Sequence, residues 1–242
     1  MAPTAIAYRY KVLDIVKYIT YDTNMFATRL LASLSMLLLA ACAHRPAPSI
    51  FLAAERGDVA TLRTLLLGGA GPNQRDARGL TALILAARAG SAASVRLLLT
   101  YRADPNLRGG VNNWTPLMHA VHKDQAGTAQ ALLEGGAQAD SRGKSGETAL
   151  MMAAGYGYTP IVELLLDRGA DPRAATSDGY NVLAAAMGGT PDLDHFTMGS
   201  CHADTIQALK RKDPTLHLPD NLWARVAQVS GGLAKLGGCA YR

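Results

Sequence analysis

The residue types with the most chemical potential are concentrated between Gly189 and Ala203. This stretch holds carboxylates, imidazoles and a thiol, which are the common protein ligands of metal ions: Asp192, Asp194, His195, Cys201 and His202. Their spacing matches no zinc signature. We therefore predict no metal site, no cofactor and no catalytic site in this stretch, and we keep a metal-dependent hydrolase built on it as the alternative function.

Cys42 follows a segment with the features of a secretory signal. Arg29 supplies one positive charge, and the apolar run from Leu30 to Ala41 covers 12 residues, whereas a membrane-spanning helix needs about 20. The run ends in Leu39-Ala40-Ala41-Cys42, which resembles a bacterial lipobox, where the Cys thiol takes a diacylglycerol and the peptide is cut before it. The resemblance implies a stable lipid anchor at Cys42. In the alternative, Cys42 is a small apolar residue near an ordinary cleavage site.

The lipobox implies an address as well as an anchor. We expect residues 1–41 to be removed as a signal peptide, with translation starting at Met25 so that residues 1–24 are not made, or else at Met1. Residues 42–48 then form the lipidated Cys and a short linker, in which two prolines favour an extended chain. The protein would face the periplasm of the bacterial cell envelope. Ala43 after the anchor favours the outer membrane over the inner one.

The other two cysteines, Cys201 and Cys239, would share an oxidising compartment if Cys42 carries lipid. Even numbers of cysteines tend to pair in such compartments. We predict a disulfide that joins the C-terminal tail to the loop around Cys201. The alternative is two separate buried thiols.

Two markers recur along the chain with a period of 33 or 34 residues. A helix-capping slot holds Thr81, Thr115, Thr148 and Asn181. A closing pair appears in the same register, as Gly69-Ala70, Arg102-Ala103, Gly136-Ala137 and Gly169-Ala170. Between the markers lie two short helical patterns with small residues where the helices would meet. The pattern predicts a stack of helix-turn-helix units in which each unit buries its apolar face against its neighbours.

The units resemble ankyrin repeats, through Thr115-Pro116-Leu117, Thr148-Ala149-Leu150 and Gly169-Ala170-Asp171. The resemblance implies an all-α ankyrin repeat solenoid whose helix-turn-helix units are joined by β-turn or hairpin loops. About five repeats would occupy residues 49–211, and a helical cap containing Trp223 would occupy residues 212–242. The chain departs from the family pattern at the family His, at two loop glycines and by about 11 extra residues in the last unit: Ile84, Met118 and Met151 replace the His, and Asn113 and Asp124 replace the glycines.

Ankyrin repeats present a groove lined by the turn tips and the exposed positions of the first helices. The corresponding positions, called the groove positions below, are Arg78, Leu80, Arg88, Asn112, Trp114, His122, Lys123, Lys144, Glu147, Tyr156 and Tyr180. Because Trp, Tyr and Arg dominate binding hot spots, we predict Trp114 as the main anchor for a protein partner. In the alternative, Trp114 folds back on the adjacent turn.

Charge and motifs narrow the function class. The formal charge of +5 falls to +3 without residues 1–41, which hold four basic and two acidic residues, and this is too weak for nucleic-acid binding. No nucleophile with a neighbouring base and no phosphate loop appears in the sequence. We therefore expect a monomeric, non-enzymatic protein that binds a periplasmic protein, as an immunity protein or inhibitor, or as a protective scaffold.

Overall fold

The computed structural model describes residues 49–188 and 202–217. The predictions about the signal peptide, Cys42, the Cys201–Cys239 disulfide and most of the C-terminal cap lie outside these ranges. Ten helices are described. They form five consecutive pairs, each made of a first helix, a tight turn and a second helix, so the all-α solenoid predicted from the repeats is confirmed over the described residues.

The first helices begin one residue after the predicted capping slot. In units one, two and three the capping side-chain oxygen accepts a hydrogen bond from the backbone N–H three residues later, from Ser49, Thr81 and Thr115. Thr148 and Asn181 do the same in units four and five. The helices themselves are α1 (Ile50–Arg56), α3 (Ala82–Arg88), α5 (Pro116–His122), α7 (Ala149–Tyr156) and α9 (Val182–Gly188).

The second helices run α2 (Val59–Leu67), α4 (Ala92–Thr100), α6 (Ala126–Glu134), α8 (Thr159–Asp167) and α10 (Ala203–Lys212). Each first helix packs on the first helix of the next unit, and each second helix on the next second helix. The shared core is made of buried leucines, alanines and methionines. No helix among the described residues is both long and apolar enough to cross a membrane.

Three non-glycine residues take a left-handed backbone conformation where other units carry glycine. Asn113 and Asp124 both have φ of 54°, a conformation that Asn and Asp tolerate better than other side chains. Arg102 has φ of 63°, and the equivalent positions in the other units are Gly69, Gly136 and Gly169. The substitutions noted in the sequence therefore leave the turn geometry of the repeat unchanged.

The fifth unit extends beyond its last helix. Leu216 is buried, and the carbonyl of His217 accepts a hydrogen bond from Asn181 Nδ2 at 3.2 Å. Arg173 of the preceding turn donates to Asp213 Oδ2 at 2.6 Å and to Thr215 Oγ1 at 2.7 Å. The chain from Asp213 to His217 thus packs against the last turn, at the start of the region predicted as the cap.

Candidate protein-binding surface

The turns between units are held in line by three arginines at one repeat position, Arg75, Arg108 and Arg142, which we call the arginine ladder. Arg75 Nη1 donates to the carbonyl of Arg108 at 2.6 Å, and Arg108 Nη1 donates to the carbonyl of Arg142. Arg142 Nη1 donates to the carbonyl of Ala175 at 2.7 Å. Each guanidinium therefore binds the backbone of the residue that occupies its own position in the next unit.

A second set of cross-unit bonds begins two residues before each ladder arginine. Asn73 Oδ1 accepts from the Asp104 N–H at 2.8 Å, and Asn106 Oδ1 accepts from the Gln138 N–H at 2.9 Å. Asp140 does the same for the Asp171 N–H in the following unit. Because both sets repeat with the period of the sequence, successive turns keep one register.

The turn tips and the ends of the first helices lie on one side of the stack. Arg78 at a turn tip reaches Glu55 at the end of α1, with 3.7 Å between Nη1 and Oε1. The Lys144 N–H donates to the Asn112 carbonyl of the preceding turn at 3.1 Å. These contacts agree with the surface that the resemblance implied.

The groove positions differ in how far they reach solvent. Arg78, Arg88, Asn112, Lys123 and Lys144 are exposed. Partly buried are His122, Glu147 and Tyr180, and fully buried are Leu80, Trp114 and Tyr156. The accessible part of this surface is therefore mostly cationic and amide, with the aromatic rings set into it.

Trp114 is 7% exposed, so its placement corresponds to the alternative in which it folds back on the adjacent turn. The indole Nε1–H donates to Glu147 Oε1 at 2.6 Å. Glu147 occupies the position of Trp114 in the next unit and also accepts the Ser145 N–H on its other oxygen at 2.9 Å. The anchor role predicted for Trp114 needs a free ring, and the neighbouring unit covers this one because it offers a matching acceptor.

Five rings form a continuous cluster across units three and four, which we call the ring cluster: Trp114, His119, His122, Tyr156 and Tyr158. The Trp114 ring centroid lies 5.5 Å from that of His119 and 5.1 Å from that of His122. His122 Nδ1 lies 2.9 Å from the Tyr156 hydroxyl, and the Tyr156 and Tyr158 centroids are 5.3 Å apart. The cluster joins the two units by ring packing and one polar contact.

The ring cluster and its surroundings keep one histidine neutral. Burial lowers the pKa of His119 to about 4, and the positive charges of Arg88, His122 and Lys123 lower it further. Burial raises the pKa of Tyr180, and Asp178 adds to this increase. Neither residue has a catalytic partner among the described residues, so we read both shifts as effects of packing.

Metal chemistry finds no support in the described ranges. No group of three His, Cys, Asp or Glu side chains there lies close enough to hold a metal ion. His202, the one described member of the candidate ligand set, uses its ring Nε2 against the Gly155 carbonyl at 3.1 Å and packs over Gly157. The other members, including Cys201, lie outside the described residues, so the hydrolase alternative stays untested.

Sequence reasoning missed several residues of this surface. The arginine ladder was visible as Arg75, Arg108 and Arg142 at steps of 33 and 34 residues, but arginine side chains carry no such meaning without the fold. Arg56 ends α1 as Arg88 ends α3. Tyr158 joins the ring cluster from the start of the second helix, a position that the groove pattern does not include.

Comparison with protein-family profiles gives two matches, both described as ankyrin repeats. A profile of three repeat copies matches residues 50–143, and a profile of many copies matches residues 132–186. A comparison with individually curated proteins returned no match. The matched region includes every described helix except α10, which pairs with α9 in the same way as the earlier helices pair. The chain belongs to the ankyrin repeat family, and its repeats form a protein–protein interaction module.

Proposed function

We propose that this protein is a lipid-anchored envelope protein that binds a periplasmic protein through its groove positions. The observation that carries the binding role is the row of exposed polar side chains at the turn tips, Arg78, Asn112 and Lys144, on turns tied together by the arginine ladder. Side chains on a rigid frame lose little further entropy when a partner binds. An immunity or inhibitor role, or a protective scaffold role, uses this same surface without catalysis.

A capture experiment tests the binding role. Purified protein is used to recover partners from envelope extract, with wild type compared with the triple variant Arg78→Ala, Asn112→Ala and Lys144→Ala. The matched control is Arg63→Ala, Arg96→Ala and Gln130→Ala, which removes two arginines and one amide from exposed positions of the second helices. We expect one protein to be recovered by wild type and control and lost by the turn-tip variant. Loss by the control instead would assign binding to the second helices.

The lipid anchor rests on the sequence Leu39-Ala40-Ala41-Cys42 after its apolar run. Acyl chains on this Cys would hold the array close to the membrane, because only six residues separate Cys42 from Ser49. In cells fed an alkyne-labelled fatty acid, we expect wild type to become labelled and to partition into detergent. Cys42→Ala should lose both properties, and a labelled Cys42→Ala protein would refute the anchor.

A further inference from the structure

Three cationic or titratable side chains meet where two neighbouring first helices end. Arg88 is the last residue of α3, His122 is the last residue of α5, and Lys123 follows it. Arg88 and His122 occupy the same repeat position, 34 residues apart. Arg88 and Lys123 are exposed, and His122 is partly buried. We call these three residues the cation cluster.

The cation cluster acts on one point in the structure. Burial is the main reason why the His119 pKa falls to about 4, and the charges of all three members contribute in the same direction. His119 itself lies 3.4 Å from the Gly109 carbonyl through Nε2 and stays neutral at pH 7. The side chains of the cation cluster therefore share a common electrostatic environment at the edge of a buried region, where charges are screened less than in open water.

The carboxylates near the cation cluster are engaged elsewhere. Glu55 and Asp76 both pair with Arg78, and Glu147 accepts hydrogen bonds from Trp114 and Ser145. The remaining nearby carboxylate, Asp124, acts on Tyr158, whose pKa is raised by burial and by this negative charge. Within residues 49–188 and 202–217, neither Arg88 nor Lys123 forms an ion pair.

Helix capping accounts for only part of this arrangement. A cation in the last turn of a helix is favoured by the negative end of the helix dipole, and this applies to Arg88 and His122. However, α7 and α9 end without any basic residue in their last turn, so the repeat does not require one. Lys123 lies beyond the end of α5, and its exposed ammonium has no structural task in the described part of the chain.

We propose that the cation cluster is a docking site for an acidic segment of the protein partner. Arg88 offers a planar guanidinium that can bind a carboxylate through two parallel hydrogen bonds, and Lys123 offers a compact positive charge one unit further along the stack. An acidic peptide with successive Asp or Glu side chains would satisfy both. This inference rests on the proposed function, since it names the kind of partner that the groove positions would receive.

The ring cluster makes the site specific in space. His122 contacts the Trp114 ring and the Tyr156 hydroxyl, so its ring is held between two units rather than free to turn. A carboxylate that reaches Arg88 and Lys123 must therefore pass over this fixed ring. Trp114 is the fluorophore closest to the site among the described residues, and its emission is expected to respond when the site is filled.

A labelled heptaglutamate peptide is the probe for this site. Its binding to the full-length protein in detergent is followed by fluorescence anisotropy, for wild type and for the double variant Arg88→Ala and Lys123→Ala. The matched control is Arg63→Ala and Arg96→Ala, which removes the same charge from exposed positions of α2 and α4. We expect about a tenfold loss of affinity for the first pair and less than a twofold loss for the control, with binding weakened by added salt.

Three results would overturn the proposal. Equal weakening by both double variants would show that only net charge attracts the peptide, and no weakening by Arg88→Ala and Lys123→Ala would exclude the cation cluster. If this double variant loses binding to vesicles rich in phosphatidylglycerol but still binds heptaglutamate, the cluster meets a membrane instead. Circular dichroism of each variant must match wild type.

The outcome is separable from that of the capture experiment. If heptaglutamate binds through the cation cluster while the turn-tip variant still recovers the extract partner, the proposed use of the groove positions fails. If the turn-tip variant loses the partner while heptaglutamate ignores the cation cluster, only the acidic-segment proposal fails.

Discussion

Trp114 and Glu147 occupy the same position in consecutive units, 33 residues apart, and a hydrogen bond of 2.6 Å joins their side chains. The same position holds Leu80 and Tyr180 in the flanking units, where Leu80 is buried and Tyr180 partly buried. A residue at this position is exposed or covered according to what the next unit places beside it. At the scale of single residues, the neighbour in the stack therefore decides the role.

Trp114→Ala should destabilise the fold as well as alter the surface. We expect a loss of about 3 kcal/mol in the free energy of unfolding, because the ring is buried and its removal leaves both a cavity and an unpaired Glu147 oxygen. Urea denaturation followed by circular dichroism measures this. Val111→Ala, at a side chain that is 90% exposed, is the control and should stay within about 0.5 kcal/mol of wild type. Equal stability of the two variants would contradict the burial of the ring.

His119 makes stability depend on pH. Its pKa is about 4 in the folded protein against 6.5 for an unburied imidazole, so the unfolded chain takes up a proton at a higher pH than the folded chain does. Stability should therefore be fully present above pH 6.5, fall by roughly 3 kcal/mol as pH drops towards 4, and level off below that.

His119→Gln should flatten this part of the stability profile, measured as urea midpoints between pH 7 and pH 4. The matched control is His217→Gln, at an exposed ring, which should keep the wild-type slope. If His119→Gln retains the full slope, other groups cause it.

At the scale of elements, the helices and the turns are stabilised in different ways. The first helices begin with side-chain caps from their own unit, such as Thr115 and Thr148, so each helix start is local. The turns depend on the next unit, through the arginine ladder and the acceptors Asn73, Asn106 and Asp140. Helix formation and stacking thus use separate sets of residues.

Arg142→Lys tests the arginine ladder. The guanidinium of Arg142 donates to the Gly146 carbonyl of its own turn at 3.1 Å and to the Ala175 carbonyl of the next turn at 2.7 Å. Lysine keeps the charge but not the fork of donors, so we expect a loss of about 1 kcal/mol in unfolding free energy. Lys144→Arg, two residues away at an exposed side chain, makes the reverse exchange and should be close to neutral. If the two exchanges have equal effects, the ladder contributes no measurable stability.

At the scale of the whole molecule, stability is spread along the stack rather than concentrated in one centre. Helices of neighbouring units pack on each other, and in such arrays the free energy is close to a sum of unit and interface terms. Charge is also uneven along the chain, because Arg56, Arg63, Arg75, Arg78, Arg88, Arg96, Arg102 and Arg108 all lie in the first two units. The acidic-segment proposal belongs to this basic part of the stack and its junction with unit three.

The position of a defect along the stack should decide how far its effect spreads. Leu62 of α2 and Leu132 of α6 are both fully buried, so replacing either by Ala should cost about 2–5 kcal/mol. In the described part of the chain, α2 has a second-helix neighbour only in α4, whereas α6 packs on both α4 and α8. We expect amide hydrogen exchange to rise mainly in residues 49–70 for Leu62→Ala, and in units two to four for Leu132→Ala. A uniform rise in both variants would show that the stack unfolds as one block.

The fold was largely predictable because its signals are local. The capping positions, the small residues at helix contacts and the closing Gly-Ala pairs recur within each unit, and all five first helices begin where the capping residues predicted. The candidate surface was less predictable. The turn-tip residues Arg78, Asn112 and Lys144 are exposed as the pattern implied, whereas Trp114 and Tyr156 are buried because each contacts a side chain of a neighbouring unit.

The sequence by itself determined the number of units, their helices and the left-handed turns, because hydrogen bonds between residues three or four apart and the apolar spacing specify them. Only the tertiary structure decided which of the eleven groove positions reach solvent, and which cations have carboxylate partners. Those outcomes depend on pairs about 33 residues apart, such as Trp114 with Glu147 and Arg142 with Ala175. Stacking brings these residues together, and no local pattern in the chain records the contact.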